Sequence, residues 1–156
     1  MISWPRRTGA LNAALTLIVA TTAGAVDVPD MTGRWAGQTH TIVAGTGGHF
    51  PESNGTFEKP YLIEKEVVYD IKGQADRRFW GVVTLVGADG KQTSEPFIGQ
   101  LTGSDYRTLI MIDADGYYHG TLADGKFTYC YTHTGGQSQT SVIGCQEVTR
   151  LPEGPK

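Results

Sequence analysis

Between residues 33 and 151 apolar and polar side chains alternate in short runs rich in Val, Ile, Thr, Tyr and Phe. Turn-forming residues punctuate the runs at Asn54-Gly55, Gly73-Gln74, Ala88-Asp89-Gly90, Gly103-Ser104-Asp105, Asp115-Gly116, Asp124-Gly125 and Gly135-Gly136. A two-residue hydrophobic period means strands with one face buried, and the turn residues mark hairpins. The pattern predicts strands over about 33–43, 61–72, 78–87, 92–102, 106–113, 117–123, 126–134 and 141–151. No helical period and no internal repeat intervenes. Consecutive hairpin-linked strands of this length suit an all-β, eight-stranded antiparallel up-and-down meander barrel; a sandwich needs longer crossing connections.

Cysteine spacing anchors the register of the last third. Cys130 and Cys145 are the only cysteines, and a Gly-rich turn lies midway between them. Folding about that turn sets them opposite each other at disulfide range, and this pairs Phe127 with Val148, Tyr129 with Gln146, Tyr131 with Gly144 and His133 with Val142. A two-residue Asp124-Gly125 turn pairs Leu122 with Phe127, Gly120 with Tyr129 and Tyr118 with Tyr131. A two-residue Asp115-Gly116 turn pairs Leu109 with Leu122, Met111 with Gly120 and Asp113 with Tyr118. All three place the Tyr-rich, apolar set on one face, with glycines making room for tyrosine rings. The opposite face is mostly polar and carries the disulfide, His119 and three less polar members, Ile110, Ile112 and Ile143. His40 also has outward parity. A one-residue slip would invert both faces, so the covalent anchor matters.

The start of the chain reads as an address. Arg6 and Arg7 precede an apolar stretch over about 10–20 and the small residues Ala23-Gly24-Ala25. That is the three-part pattern of a secretory signal over 1–25, too short to span a bilayer. Both export routes stay open, since the Arg pair lacks the bulky apolar residues a twin-arginine signal prefers. Removal would leave residues 26–156, one domain, in a periplasmic or extracellular setting where a disulfide persists. With 11 bases (13 − 2) against 16 acids the net charge is then −5. No basic cluster is present to track phosphates, so nucleic acid is not an expected partner. Nor is stable membrane insertion expected after cleavage.

Gly33-Arg34-Trp35 opens the first strand and Arg150 ends the last. In this the chain resembles the calycin-type barrels, the lipocalins and avidins, and also secreted bacterial proteins of uncharacterised family. The resemblance implies that Gly33, Trp35 and Arg150 form a structural signature, the Trp packing at the closed end against the basic residue. Residues 26–156 contain only Trp35 and Trp80. The tryptophan cage of an avidin-type biotin site is therefore not matched, and further lipocalin motifs are not evident.

Candidate chemistry gathers toward the other end of the inward face. Asp113, Tyr118, Tyr129, Tyr131, His133 and Gln146 would line a pocket, with His49 contributed by a Gly-rich loop over about 44–60 that reads as a lid. The expected function is binding of a small molecule at the open end. The alternative is a secreted inhibitor of a protease or lysozyme, whose barrel could be filled and whose contacts would come from residues 26–32 and the 44–60 loop. Asp113 and His133 beside Tyr118 could serve as an acid–base pair, but no nucleophile or phosphate-loop motif accompanies them, so binding is favoured over catalysis and no catalytic residue is assigned. His49 and His133 with Asp113 could in principle meet at a metal, but no spacing demands it, and neither metal nor cofactor is expected. Asp113-Ala114-Asp115-Gly116 lacks the ligand spacing of a calcium loop. Glu64-Lys65-Glu66 and Asp76-Arg77-Arg78 read as solvated charges. Ile110, Ile112 and Ile143 leave a homo-oligomer possible.

Overall fold

A computed structural model describes residues 26–135 and 140–152. The expected signal segment and the middle of the turn between the cysteines, residues 136–139, lie outside them. Nine antiparallel strands follow one another: β1 (Gly33–Gly47), β2 (Phe50–Gly55), β3 (Tyr61–Ala75), β4 (Arg78–Val86), β5 (Gln92–Thr102), β6 (Thr108–Ile112), β7 (Tyr117–Ala123), β8 (Lys126–His133) and β9 (Ser141–Arg150). β1 pairs with both β3 and β9, closing an eight-stranded up-and-down barrel from β1 and β3–β9. The eight expected strands are all present. No helix among the described residues is long and apolar enough to cross a membrane. The closed meander is compatible with a calycin-type barrel.

The segment over 44–60 corrects the expectation of an open loop. β1 runs on past the barrel to Gly47 and turns back as β2, pairing Gly45 with Gly55 and Gly47 with Phe50 across an irregular register. Pro51 and the broken polarity of Phe50-Pro51-Glu52-Ser53-Asn54-Gly55 hide this strand from a period-two reading. Lys65 is a second correction. It is only 7% exposed, because it shares the inward parity of Val67 and Tyr69. Its ammonium donates to the His49 carbonyl at 2.6 Å, pairs with Glu52 at 2.9 Å and lies 4.7 Å from the Phe50 ring centre. One buried cation thus ties the β1–β2 hairpin down onto the barrel.

The disulfide register is as the spacing predicts: Cys130 faces Cys145 with Cα atoms 4.0 Å apart, flanked by the Tyr129–Gln146 and Tyr131–Gly144 pairs. Asp124 and Gly125 both take positive φ, 52° and 73°, the geometry of a two-residue type I′ turn, so β7 and β8 pair as expected. The β6–β7 hairpin differs. Asp113 accepts hydrogen bonds from the backbone N–H groups of Asp115 (3.0 Å) and Gly116 (2.7 Å), building a four-residue turn. Leu109 therefore faces Gly120 and Met111 faces Tyr118, two residues from the expected partners. A two-residue shift preserves parity, so every side chain stays on its expected face.

Barrel geometry follows from the ladder. From Gly73 on β3, directly opposed residues run through Trp80, Ile98, Ile112, Tyr117, Thr132, Ile143 and Ile42 and return to β3 at Leu62. The displacement is 11 residues (73 − 62), which includes the irregularity between Ile71 and Gly73. A stagger of this size tilts the strands by roughly 40° and leaves an interior that side chains can fill. They fill its lower part: Trp35 against Phe127, Phe79 against Phe97, and Tyr69 edge-on to Phe97, Phe127 and Tyr129. Ile110, Ile112 and Ile143 lie outward and exposed, as their parity places them.

Candidate functional site

Above the aromatic layers the interior opens into a cavity of about 60 Å³, room for roughly four waters. Four neighbouring parts of the chain at this end of the barrel contribute to it. The end of β1 and the β1–β2 turn supply Gly47, Gly48 and His49; the start of β5 supplies Thr93 and Glu95; the β6–β7 turn supplies Asp115; the end of β8 supplies His133, and Thr140 comes just before β9. Tyr69, Tyr118, Tyr131 and Gln146 form the floor and sides with Val67, Val83, Leu85 and Val142. Among the described lining residues there is no Lys or Arg.

The structure brings five of the seven expected site residues to this cavity: His49, Tyr118, Tyr131, His133 and Gln146. Asp113 and Tyr129 stand behind its wall. Asp113 holds the β6–β7 turn through one carboxylate oxygen, while the other accepts from the Tyr118 hydroxyl. Tyr129 is fully buried and accepts a hydrogen bond from the Tyr69 hydroxyl at 2.5 Å. Tyr69, Thr93 and Glu95 are lining residues the sequence reading passed over. Their signal was present: Thr93 and Glu95 share the inward parity of Phe97 and Leu101, and Tyr69 that of Val67 and Ile71.

Electrostatically the site is acceptor-rich. Gln146 bonds Tyr129 through its side chain, yet its buried Oε1 has no protein partner. Only 7% of the residue is exposed, so a donor within the cavity, water or ligand, would satisfy that oxygen. Burial pushes the Tyr131 phenol well above its ordinary pKa, and the nearby charges of Asp113, Glu95 and Asp115 push it further. Tyr118 is raised by burial first and then by Asp113. Burial likewise raises Tyr129, with the hydrogen bonds from Tyr69 and Gln146 pulling the other way. The His49 imidazole is raised by its hydrogen bond to Glu95, against a smaller desolvation effect, with Glu95, Asp115 and Asp113 adding their fields.

The His49 ring sits among three partners. Nε2 lies 3.3 Å from Glu95 Oε1 and 3.9 Å from Asp115 Oδ2, while Nδ1 is 3.1 Å from Thr93 Oγ1. His49, Glu95 and Asp115 bring potential ligand atoms within 4.8 Å of one another, a different set from the His49, His133 and Asp113 weighed in the sequence, where no metal was expected. No protein-family model matches this chain, and no curated protein matches it in sequence.

Proposed function

We propose that the protein is an exported binder of a small, polar, hydrogen-bond-donating molecule, held in the cavity between the tyrosine floor and the β1–β2 hairpin. The observation that carries this reading is the buried, unpartnered Oε1 of Gln146. A barrel built only for stability would place an aliphatic side chain there, since a buried acceptor left unmet costs about 1–3 kcal/mol. Tyr131 and Tyr118 offer ring faces, and Thr39 and Thr41 add hydroxyls to the same wall. The cavity is small, so the ligand is itself small or inserts only its polar tip. Export is supported by the signal pattern in residues 1–25 and by the Cys130–Cys145 bridge, which suits an oxidising compartment.

Native mass spectrometry of protein purified from an oxidising compartment tests the reading. The chain should carry extra mass that is lost on denaturation and absent from Gln146→Leu. A bare protein that also shows no thermal shift across a panel of small polar amines, amides and alcohols would overturn it.

One observation favours a second reading, the protein-binding inhibitor. Phe57, in the turn between β2 and β3, is 81% exposed, an aromatic side chain with no core to serve. Inhibition of a protease or lysozyme that disappears in Phe57→Ala would establish it; inactivity against such a panel would remove it.

A further inference from the structure

We propose that His49, Glu95 and Asp115 form a binding site for a divalent first-row transition-metal ion at the mouth of the barrel. The three side chains come from three separate parts of the chain at one end of the fold: the β1–β2 turn, strand β5 and the β6–β7 turn. Metal–ligand bonds of about 2.1 Å at tetrahedral angles hold donor atoms about 3.4 Å apart. The His49–Glu95 and His49–Asp115 separations are 3.3 and 3.9 Å, and the third pair falls within 4.8 Å. Small side-chain rotations therefore complete the set. One imidazole and two carboxylates suit zinc, manganese or iron(II), and three protein ligands leave a position open to water or an anion.

Two further features belong to such a site. The Nδ1 of His49 is fixed on Thr93 Oγ1, which leaves Nε2 directed at the carboxylates, the outer contact that ligating histidines usually have. The surroundings are also acidic, with the His49 imidazole set against both carboxylates. The cavity lining contains Glu95 and Asp115 and no Lys or Arg among the described residues, and the nearby Lys65 is committed to Glu52.

The site stands apart from the small-molecule reading, because its ligands are at the mouth while that reading rests on Gln146. The probe is Zn²⁺ alone, titrated calorimetrically near neutral pH into the folded, disulfide-bonded protein. One ion should bind per chain, about tenfold or more weaker in His49→Ala and in Glu95→Gln, and unchanged in Gln146→Leu and His40→Ala. No binding, or binding that both site variants retain, would overturn the proposal. So would loss in His40→Ala, which would locate the ion at the exposed His40–Glu64 pair, 3.0 Å apart. If either site variant fails to fold by circular dichroism, Asp115→Asn carries the test, since this partly exposed turn carboxylate can become an amide without loss of packing. Full zinc affinity in folded Asp115→Asn would equally overturn the site. Zinc binding without an organic adduct, or the adduct without zinc, would separate the two readings.

Discussion

The guanidinium carbon of Arg150 lies 4.5 Å from the ring centre of Trp35, joining the last strand of the barrel to the first. The same guanidinium donates to the carbonyls of Thr32 (2.5 Å) and Asp30, and the Trp35 indole N–H donates to the Met31 carbonyl at 2.9 Å. Together they fold residues 30–32 over the closed end. Gly33, at φ 102°, allows the chain to turn from this plug into β1.

Arg150→Ala should therefore cost about 2–3 kcal/mol, from charge-assisted hydrogen bonds to two carbonyls plus a partly exposed cation–π contact. Arg150→Lys should recover less than half, because an ammonium cannot stack and fork at once. Urea unfolding measures both. A lysine variant as stable as the parent would show that charge alone closes this end.

The disulfide can be weighed in the same way. It joins residues 15 apart on the outward face, so replacing both cysteines by Ala removes little packing. Losing the restraint on the unfolded chain should cost about 3 kcal/mol. The register itself should survive, since Phe127, Tyr129, Val148 and the turn at Asp124-Gly125 also specify it. A double variant with unchanged urea midpoint would mean that the unfolded chain is already restrained there.

These two anchors explain what was legible in the sequence. Where a covalent bond or an obligate two-residue turn fixes the register, alternation gives side-chain directions residue by residue, and Tyr131, Gln146 and His133 were found that way. β3 to β5 have no anchor legible in the sequence, since the two-residue turn at Asp76-Arg77 carries no glycine to announce it. The turn between β4 and β5 is longer; Lys65 looked like a surface charge and Glu95 was passed over, because period-two patterning gives no reason to bury a charge. Their partners, His49 and Glu52, come from the β1–β2 hairpin, which has too little alternation to register as a strand pair. Asp113 misled for a different reason: its carboxylate shapes a turn, a role that competes with lining a pocket and that residue type alone does not distinguish.

Alkaline titration gives a test of the floor. Tyr69, Tyr118, Tyr129 and Tyr131 all have phenols raised above the ordinary value of 10.0, with burial the leading cause. For a group whose folded pKa is raised, the stabilising contribution is complete below the unfolded pKa and is lost as pH rises toward the folded one. The fold should thus keep these contributions up to about pH 10 and lose them steeply above it. Phenolate absorbance from four of the seven tyrosines should appear only together with unfolding, followed by circular dichroism. Full tyrosine ionisation while the strands persist would contradict the burial.

Two glycines opposite tyrosines should respond in opposite ways. Gly120 faces Tyr129, and a Cβ there would meet the Thr128 carbonyl oxygen at 2.3 Å and the Tyr129 Cβ at 2.5 Å. Neither can move without shifting the strand, so Gly120→Ala should destabilise by about 1–3 kcal/mol. Gly144 faces Tyr131, but its added Cβ would meet Thr41 Oγ1 at 2.8 Å and Gln146 Oε1 at 3.4 Å, both lining the cavity. The Thr41 hydroxyl can rotate aside, so stability should change by less than about 1 kcal/mol while the cavity loses volume beside the unpartnered oxygen. Urea unfolding should separate the two variants in stability. Native mass spectrometry should show that Gly144→Ala, though folded, has lost the adduct that Gly120→Ala retains at temperatures where it is folded. A Gly144→Ala protein that keeps full occupancy would place the ligand elsewhere on the molecule.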